Sequence, residues 1–233
     1  MKLSIVIPVY NEVRTILPLI ERVKRTNFDK EIIIVDDFSE DGTRQLLCAI
    51  GDKNIKVFMH SRNMGKGAAL ITGFKHATGD IIIIQDADLE YDPGDYGKLI
   101  KPIVTGDCLV VYGSRFLTYN YSSLKQHLFY ITHFLGNKFL NFLTCVLFRT
   151  KITDMETCYK AISRDVLRRL HLSARRFDIE PEITAQLLNM KIKITEVPIS
   201  YTPRDYKQGK KISWRDGLAA MFILLKYRVR GRR

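Results

Sequence analysis

Apolar residues follow two rhythms along the first half of this chain. Short continuous runs rich in Ile and Val, at Leu3 to Val9, Glu31 to Val35, Ile55 to Met59, Ile81 to Ile84 and Leu109 to Tyr112, suit strands covered on both faces. Between them lie stretches with helical spacing, at Arg14 to Arg25, Asp41 to Ala49, Gly65 to Ala77 and Asp95 to Val104. The alternation predicts a βαβ sheet with crossover helices. There is no internal repeat, low-complexity segment or linker.

After Arg115 the pattern changes. Ser122 to Phe148 predicts a long helix with Leu128, Ile131, Leu135, Phe139, Phe142 and Val146 on one stripe, yet Phe129, Phe134, Leu140 and Leu147 lie off it. One core-facing side does not account for that much apolar surface, so a second apolar contact is expected: neighbouring helices, an oligomer, or lipid headgroups. Thr157 to Arg233 then predicts a strand at Cys158 to Ile162, helices at Arg164 to Leu170 and Ile179 to Leu188, and a strand at Ile192 to Ile199. An amphipathic helix closes the chain, ending in Lys226, Arg228, Arg230, Arg232 and Arg233. Such a charge run either keeps a tail soluble or meets an anionic lipid surface.

Composition narrows the classes. With 233 residues and 46% hydrophobic content, one large domain with a substantial core is expected. The net charge of +12 implies an anionic partner: nucleic acid, a phosphorylated substrate or an acidic membrane. No nucleic-acid module is recognisable, which sets that partner aside. Cys48, Cys108, Cys145 and Cys158 are scattered, which suggests reduced thiols in a cytosolic compartment rather than zinc or disulfides. The apolar start of "MKLSIVIPVYNE" is too short for a signal peptide, and no run reaches the roughly 18 apolar residues of a spanning helix. Any membrane contact is expected to be peripheral.

The chemistry concentrates in "QDADLE", Gln85 to Glu90, directly after the Ile81 to Ile84 run. In open α/β sheets ligands bind beyond the carboxyl ends of strands, where these acids fall. Alternation directs Asp86 and Asp88 to one side, and Glu90 joins them once the chain turns towards Tyr91, Asp92 and Pro93. Oxygen donors of this kind suit Mg2+ or Mn2+ shared with a diphosphate. A solvated strand end with helix-capping acids fits an isolated DxD equally well, so context must decide.

Four further loop segments supply that context: "IPVYNE" from Ile7, "VDDFSEDGT" from Val35, "NMGKGAAL" from Asn63 and "GSRF" from Gly113. "NMGKGAAL" lacks the spacing of a P-loop. Taken in order, the segments resemble the family 2 inverting glycosyltransferases of GT-A fold. "TDMETCYKAISRDVL" and "EVPISYTPRDYKQGKK" resemble the polyprenol-phosphate branch of that family.

The resemblance implies a single α/β domain with a Rossmann-like mixed sheet flanked by helices, and amphipathic interfacial helices. Residues 1–116 would bind the nucleotide sugar, and 117–233 would face the acceptor and the membrane. It implies that Pro8, Tyr10 and Glu12 line the nucleotide pocket, with Ile34 and Asp36 beside base and ribose and Asp37 a nearby candidate. A carboxylate there accepts an imide N–H of uracil or guanine alike, so UDP and GDP stay open; a turn capping the next helix is the structural alternative. Asp86, Ala87 and Asp88 would contact the nucleotide sugar, with Asp88 and Glu90 as metal ligands; some relatives have Gln at the position of Glu90. Arg115 would face the diphosphate or acceptor phosphate, and Arg204 and Lys210 would close over the phosphates from a loop, so Asp88, Arg115, Arg204 and Lys210 form the implied catalytic set.

A lipid monophosphate acceptor has a second pKa of about 6, so it needs no general base. Asp154 and Glu156 would then position the sugar or acceptor loop, or merely form a polar turn. The implied partners are a nucleotide sugar, a polyprenyl phosphate and an anionic membrane surface on the cytoplasmic side. Several family members carry transmembrane helices after the catalytic domain, so anchoring here would fall to amphipathic surfaces or a separate membrane subunit; a homo-oligomer is the other partner to expect. Transfer to a glycan hydroxyl, or binding without transfer, are the competing readings.

Overall fold

The computed structural model describes residues 1–117, 131–204 and 214–231, with the side chains of 131–133 and 214–215 left aside. Strands β1 (Leu3–Val9), β2 (Lys30–Asp36), β3 (Ile55–Met59), β4 (Ile81–Ile84), β5 (Val110–Ser114), β6 (Lys160–Ser163) and β7 (Ile194–Pro198) form one sheet. Its order is β3-β2-β1-β4-β6-β5-β7. β1 runs parallel to β2 and β4, placing Ile5 between Ile32 and Ile83. β6 is antiparallel to both neighbours, β4 and β5, while β5 and β7 are parallel. The sheet is therefore mixed, as expected, and β1, β2 and β4 send their carboxyl ends to one edge.

The first helices form as their spacing predicts. α1 (Ile16–Arg25) turns Ile16, Leu19, Ile20 and Val23 inward, and the Thr26 hydroxyl closes its last turn by donating to the Val23 carbonyl at 2.8 Å. Truncating a fully buried residue there, such as Leu19→Ala, costs about 2–5 kcal/mol. α2 (Thr43–Cys48) is shorter than predicted, because the Asp41 carboxylate accepts from the Thr43 amide at 3.0 Å and the Val13 amide at 3.1 Å. α3 (Lys66–His76), α4 (Tyr96–Val104) and α6 (Arg164–Leu167) complete the layers against the sheet. β6 starts later than predicted: the Cys158 amide donates to Tyr91 Oη and Lys160 Nζ folds back on the Met155 and Thr157 carbonyls, which makes 155–158 a turn.

The long helix departs from its expected facing. Within α5 (Ile131–Phe148) the described stripe residues Leu135, Phe139, Phe142 and Val146 are between 52% and 66% exposed, while Leu140 is buried and Leu143 and Leu147 pack on the core. The cause is polar. Asn141 Nδ2 donates to the Thr153 carbonyl at 2.5 Å, Asn141 Oδ1 accepts from the Met155 amide at 2.8 Å, and Thr144 donates to Leu140 O, so two polar residues occupy the inner face. Leu128 and Phe129 lie outside the described residues.

α7 (Ile179–Asn189) and α5 both pack on α8 (Trp214–Arg230), whose Ala220 and Leu224 are buried. α8 exposes Leu218, Phe222, Leu225 and Val229. Among the described residues, no helix is long and apolar enough to cross a membrane.

Candidate functional site

Three loops at the carboxyl ends of β1, β2 and β4 each bend through a non-glycine residue in the left-handed region: Asn11 (φ 53°), Phe38 (φ 67°) and Leu89 (φ 64°). Asn11 tolerates this and ties two loops together, its amide donating to Ser39 Oγ and its side-chain oxygen accepting from the Glu40 amide, both at 2.9 Å. Leu89 has no such polar help, so its conformation carries strain. That bend turns the chain after Asp88 and lets the Glu90 amide donate to Asp88 Oδ1 at 3.1 Å. Upstream, Gln85 is fully buried, and Oε1 accepts from Tyr96 at 2.8 Å and from Tyr159 at 2.6 Å, which anchors the start of the acid motif.

Glu12, Asp88 and Glu90 converge from β1 and β4 on one guanidinium. Arg204 Nη1 lies 3.2 and 3.1 Å from the two Glu12 oxygens, and Nη2 lies 3.0 Å from Asp88 Oδ2. Its Nε is 3.6 Å from Glu90 Oε1, which also accepts from the Arg204 amide at 2.9 Å. Even so, Asp88 is pushed up to about 7, first by burial and then by the charges of Asp86 and Glu90. Of the sequence-predicted site residues, these four are the ones the fold brings together most closely.

Asp86 leans the other way. Lys66 Nζ contacts both its oxygens, at 2.9 and 3.1 Å, and Glu180 Oε1 at 2.8 Å. Burial alone would lower the Lys66 ammonium, but the Asp86 and Glu180 charges outweigh it and raise it well above its ordinary value. Lys66 is aimed by a tight approach of two loops: the Ala68 amide donates to Arg175 O at 3.1 Å, and a Cβ on Gly67 would stand 2.6 Å from Ala174 O. Gly65, at φ 94°, leaves the same loop room beside Arg175. Sequence reasoning missed Lys66 and Glu180. The signals available were Gly-Lys-Gly at a helix start and the acid-rich "FDIEPE" opening another helix.

The nucleotide residues divide. Asp36 is fully buried; Oδ2 takes Arg44 Nε at 3.1 Å and the Ser39 amide at 3.2 Å, while Oδ1 has no hydrogen-bond partner among the described residues. Asp37 is consumed by structure: it accepts from the Met64 amide at 2.8 Å and the Gly65 amide at 2.6 Å, and pairs with His60 Nδ1 at 2.7 Å. Asp37 thus clamps the Met64–Gly65 loop against the end of β2. Ile34 sits in register between Ile7 and Val57 with no exposure, inside the sheet. Pro8 and Ala87 are buried and Tyr10 is half-buried at the same edge.

Arg115 follows β5 and forms a fork with Asp154, Nε to Oδ2 at 2.8 Å and Nη2 to Oδ1 at 2.7 Å, with its own amide on Oδ2 at 2.9 Å. Asp154 is fully buried, and its turn is held by Glu196, which accepts from the Thr153 and Asp154 amides. Both Asp154 oxygens are thus engaged in orienting Arg115, which stacks 5.2 Å from the Tyr201 ring. Glu156 is pushed up to about 8 by burial and by the nearby Glu180 charge. Lys210 lies outside the described residues.

Among the described residues no three His, Cys, Asp or Glu side chains converge tightly enough to chelate an ion alone. Asp88 and Glu90 nevertheless fit a divalent cation: both are oxygen donors, and both already hold a cation in the Arg204 guanidinium. Two carboxylates completed by phosphate oxygens and water are ordinary for Mg2+.

Comparison with known proteins agrees with this architecture. The chain is 30% identical, over 95% of its length and 94% of the relative's, to a UDP-N-acetylglucosamine–dolichyl-phosphate N-acetylglucosaminyltransferase of Methanococcus voltae. It is 28% identical to a dolichyl-phosphate beta-glucosyltransferase of Trichomonas vaginalis, over 85% of this chain and 65% of that one. Among solved structures, glucosyl-3-phosphoglycerate synthase from Mycobacterium tuberculosis, in complex with Mn2+, UDP and phosphoglyceric acid, superposes with a TM-score of 0.73. It is 20% identical and covers 97% of this chain and 78% of its own, which establishes a shared fold. The family model for glycosyl transferase family 2 matches residues 4–170, and the chain belongs to that family.

Proposed function

We propose that this glycosyltransferase moves a monosaccharide from a nucleoside-diphosphate sugar to a polyprenyl phosphate, inverting the anomeric centre. The observation that carries the acceptor class is the Arg115–Asp154 fork. An acceptor hydroxyl needs a base, but the buried Asp154 carboxylate is fully engaged and Glu156, pushed up to about 8, stays protonated at neutral pH. A phosphate dianion attacks without one. The two dolichyl-phosphate transferases among the relatives favour the same acceptor.

Each residue then has a task. Asp36, whose Oδ1 is buried without a hydrogen-bond partner among the described residues, would accept an N–H or O–H from the nucleoside. Lys66 keeps Asp86 ionised and fixed in place, where it would contact the donor sugar. Mg2+ or Mn2+, held by Asp88 and Glu90, would neutralise charge growing on the diphosphate leaving group. Arg115, preset by Asp154, presents its remaining N–H groups to the acceptor phosphate, and Arg204 and Lys210 complete the phosphate contacts. Uridine donors come first, since the Methanococcus relative is named for one.

On this reading the enzyme works peripherally at the cytoplasmic membrane face. The adjoining exposed apolar residues of α5 and α8, beside Lys226, Arg228 and Arg230, suit an anionic bilayer surface. Incubation with UDP-glucose, UDP-N-acetylglucosamine or GDP-mannose, Mn2+ and polyprenyl phosphate in acidic vesicles should yield a lipid-linked monosaccharide. Absence of transfer from every donor would overturn the proposal. Phe142→Ser combined with Phe222→Ser should release the protein from those vesicles while leaving UDP binding intact.

A further inference from the structure

The six carboxylate oxygens of Glu12, Asp88 and Glu90 all have partners, and among the described residues the cation that pairs with them comes from the far end of the chain. Arg204 meets Glu12, Asp88 and Glu90, Thr15 Oγ1 donates to Glu12 Oε2 at 2.7 Å, the Glu90 amide serves Asp88 Oδ1, and Tyr201 Oη donates to Glu90 Oε2 at 2.7 Å. A short strap delivers these groups. The Ser200 amide donates to Asp95 Oδ2 at 2.5 Å, the Thr202 amide donates to Glu90 O at 2.9 Å, and Tyr201 bridges to Tyr91 as an antiparallel partner, their rings 5.2 Å apart. The strap thus lies along the same few residues that would hold a metal.

Two cations in one small acid cluster repel each other, and Asp88 and Glu90 cannot turn to an ion while Arg204 and Tyr201 keep their oxygens. A guanidinium pairs with phosphate as readily as with carboxylate. We infer that Arg204 and the divalent cation hold Asp88 and Glu90 alternately: the strap keeps Arg204 there until a metal diphosphate arrives, and the displaced guanidinium then moves to the phosphate oxygens. Arg204 is thereby an internal competitor that keeps the metal site closed to free ion and makes metal and donor bind together. This rests on the donor reading above, and it adds an order of binding to it.

The test is Mn2+ titration of the full chain, followed by the electron paramagnetic resonance signal of free aqueous Mn2+, with and without UDP. The intact protein should bind Mn2+ weakly alone and at least about tenfold more tightly with UDP. Arg204→Met should raise the nucleotide-free affinity about fivefold or more and shrink the effect of UDP. Tyr201→Phe, which loosens the strap and keeps the guanidinium, should move the same way by less, and decides the matter if Arg204→Met does not fold. Mn2+ that binds with UDP but is indifferent to both substitutions overturns the inference alone. Mn2+ that fails to bind the intact protein even with UDP overturns the metal-dependent donor reading and this inference with it.

Discussion

Two guanidiniums border the site and are held in opposite ways. Arg115 has one carboxylate to itself: Asp154 takes Nε, Nη2 and the backbone amide, is fully buried, and is braced from behind by Glu196. Arg204 is shared among three carboxylates, at 3.0 to 3.6 Å, from a strap at the sheet edge. A matched fork in a closed environment is a fixture, since removing either half strands a buried charge. A cation spread over an acid-rich cluster is exchangeable, because another cation satisfies the same oxygens. On the proposed reading, Arg115 would supply orientation at this site and Arg204 would supply change.

The largest effect should fall on the fixture. Asp154→Ala leaves Arg115 buried without its partner and should destabilise the protein by about 3–5 kcal/mol in urea unfolding. Arg204→Met, by contrast, should cost less in the same assay, because Asp88, already pushed up to about 7, can take a proton when the guanidinium is removed, whereas a stranded guanidinium cannot shed its charge. Equal losses for the two variants would erase the distinction. Next comes Asp88→Asn, which should lower transfer about 10²–10³-fold with little change in unfolding midpoint, by weakening stabilisation of the leaving group. A variant that keeps full transfer would remove Asp88 from the donor site.

The sheet was legible because β1, β2 and β4 are short runs rich in Ile and Val, the composition that a doubly covered strand favours. The acids after β4 were legible for the same reason, since their place in the fold follows from the strand before them. What could not be read was how each carboxylate is used. Asp36 and Asp37 are neighbours of one type, yet one keeps a bare oxygen and the other clamps the Met64–Gly65 turn, a contact across a long stretch of sequence. Lys66 and Glu180 meet only through the fold. The facing of α5 misled for a related reason: hydropathy scores Asn141 and Thr144 as outward, whereas backbone partners at Thr153, Met155 and Leu140 draw them in.

The smallest effect tests whether Arg115 is as fully committed as its geometry says. Glu156 lies near Arg115, and a free guanidinium there would help it ionise; with Arg115 spent on Asp154, burial and Glu180 prevail and push Glu156 up to about 8. Its ordinary value is 4.5, so between the two values the folded protein binds more protons than the unfolded one and loses stability as pH rises. Asp88, pushed up to about 7, contributes a slope of the same sign, but one that levels off above that value. The fall in stability between about pH 7 and 8 therefore belongs mainly to Glu156 and should amount to about 1 kcal/mol in metal-free protein. Urea midpoints should show that last decline in the intact protein and in Asp88→Asn, and Glu156→Gln should flatten it. A flat profile in the intact protein would mean that Glu156 is ionised below neutrality, that Arg115 shares its charge, and that the fixture is less closed than its hydrogen bonds indicate.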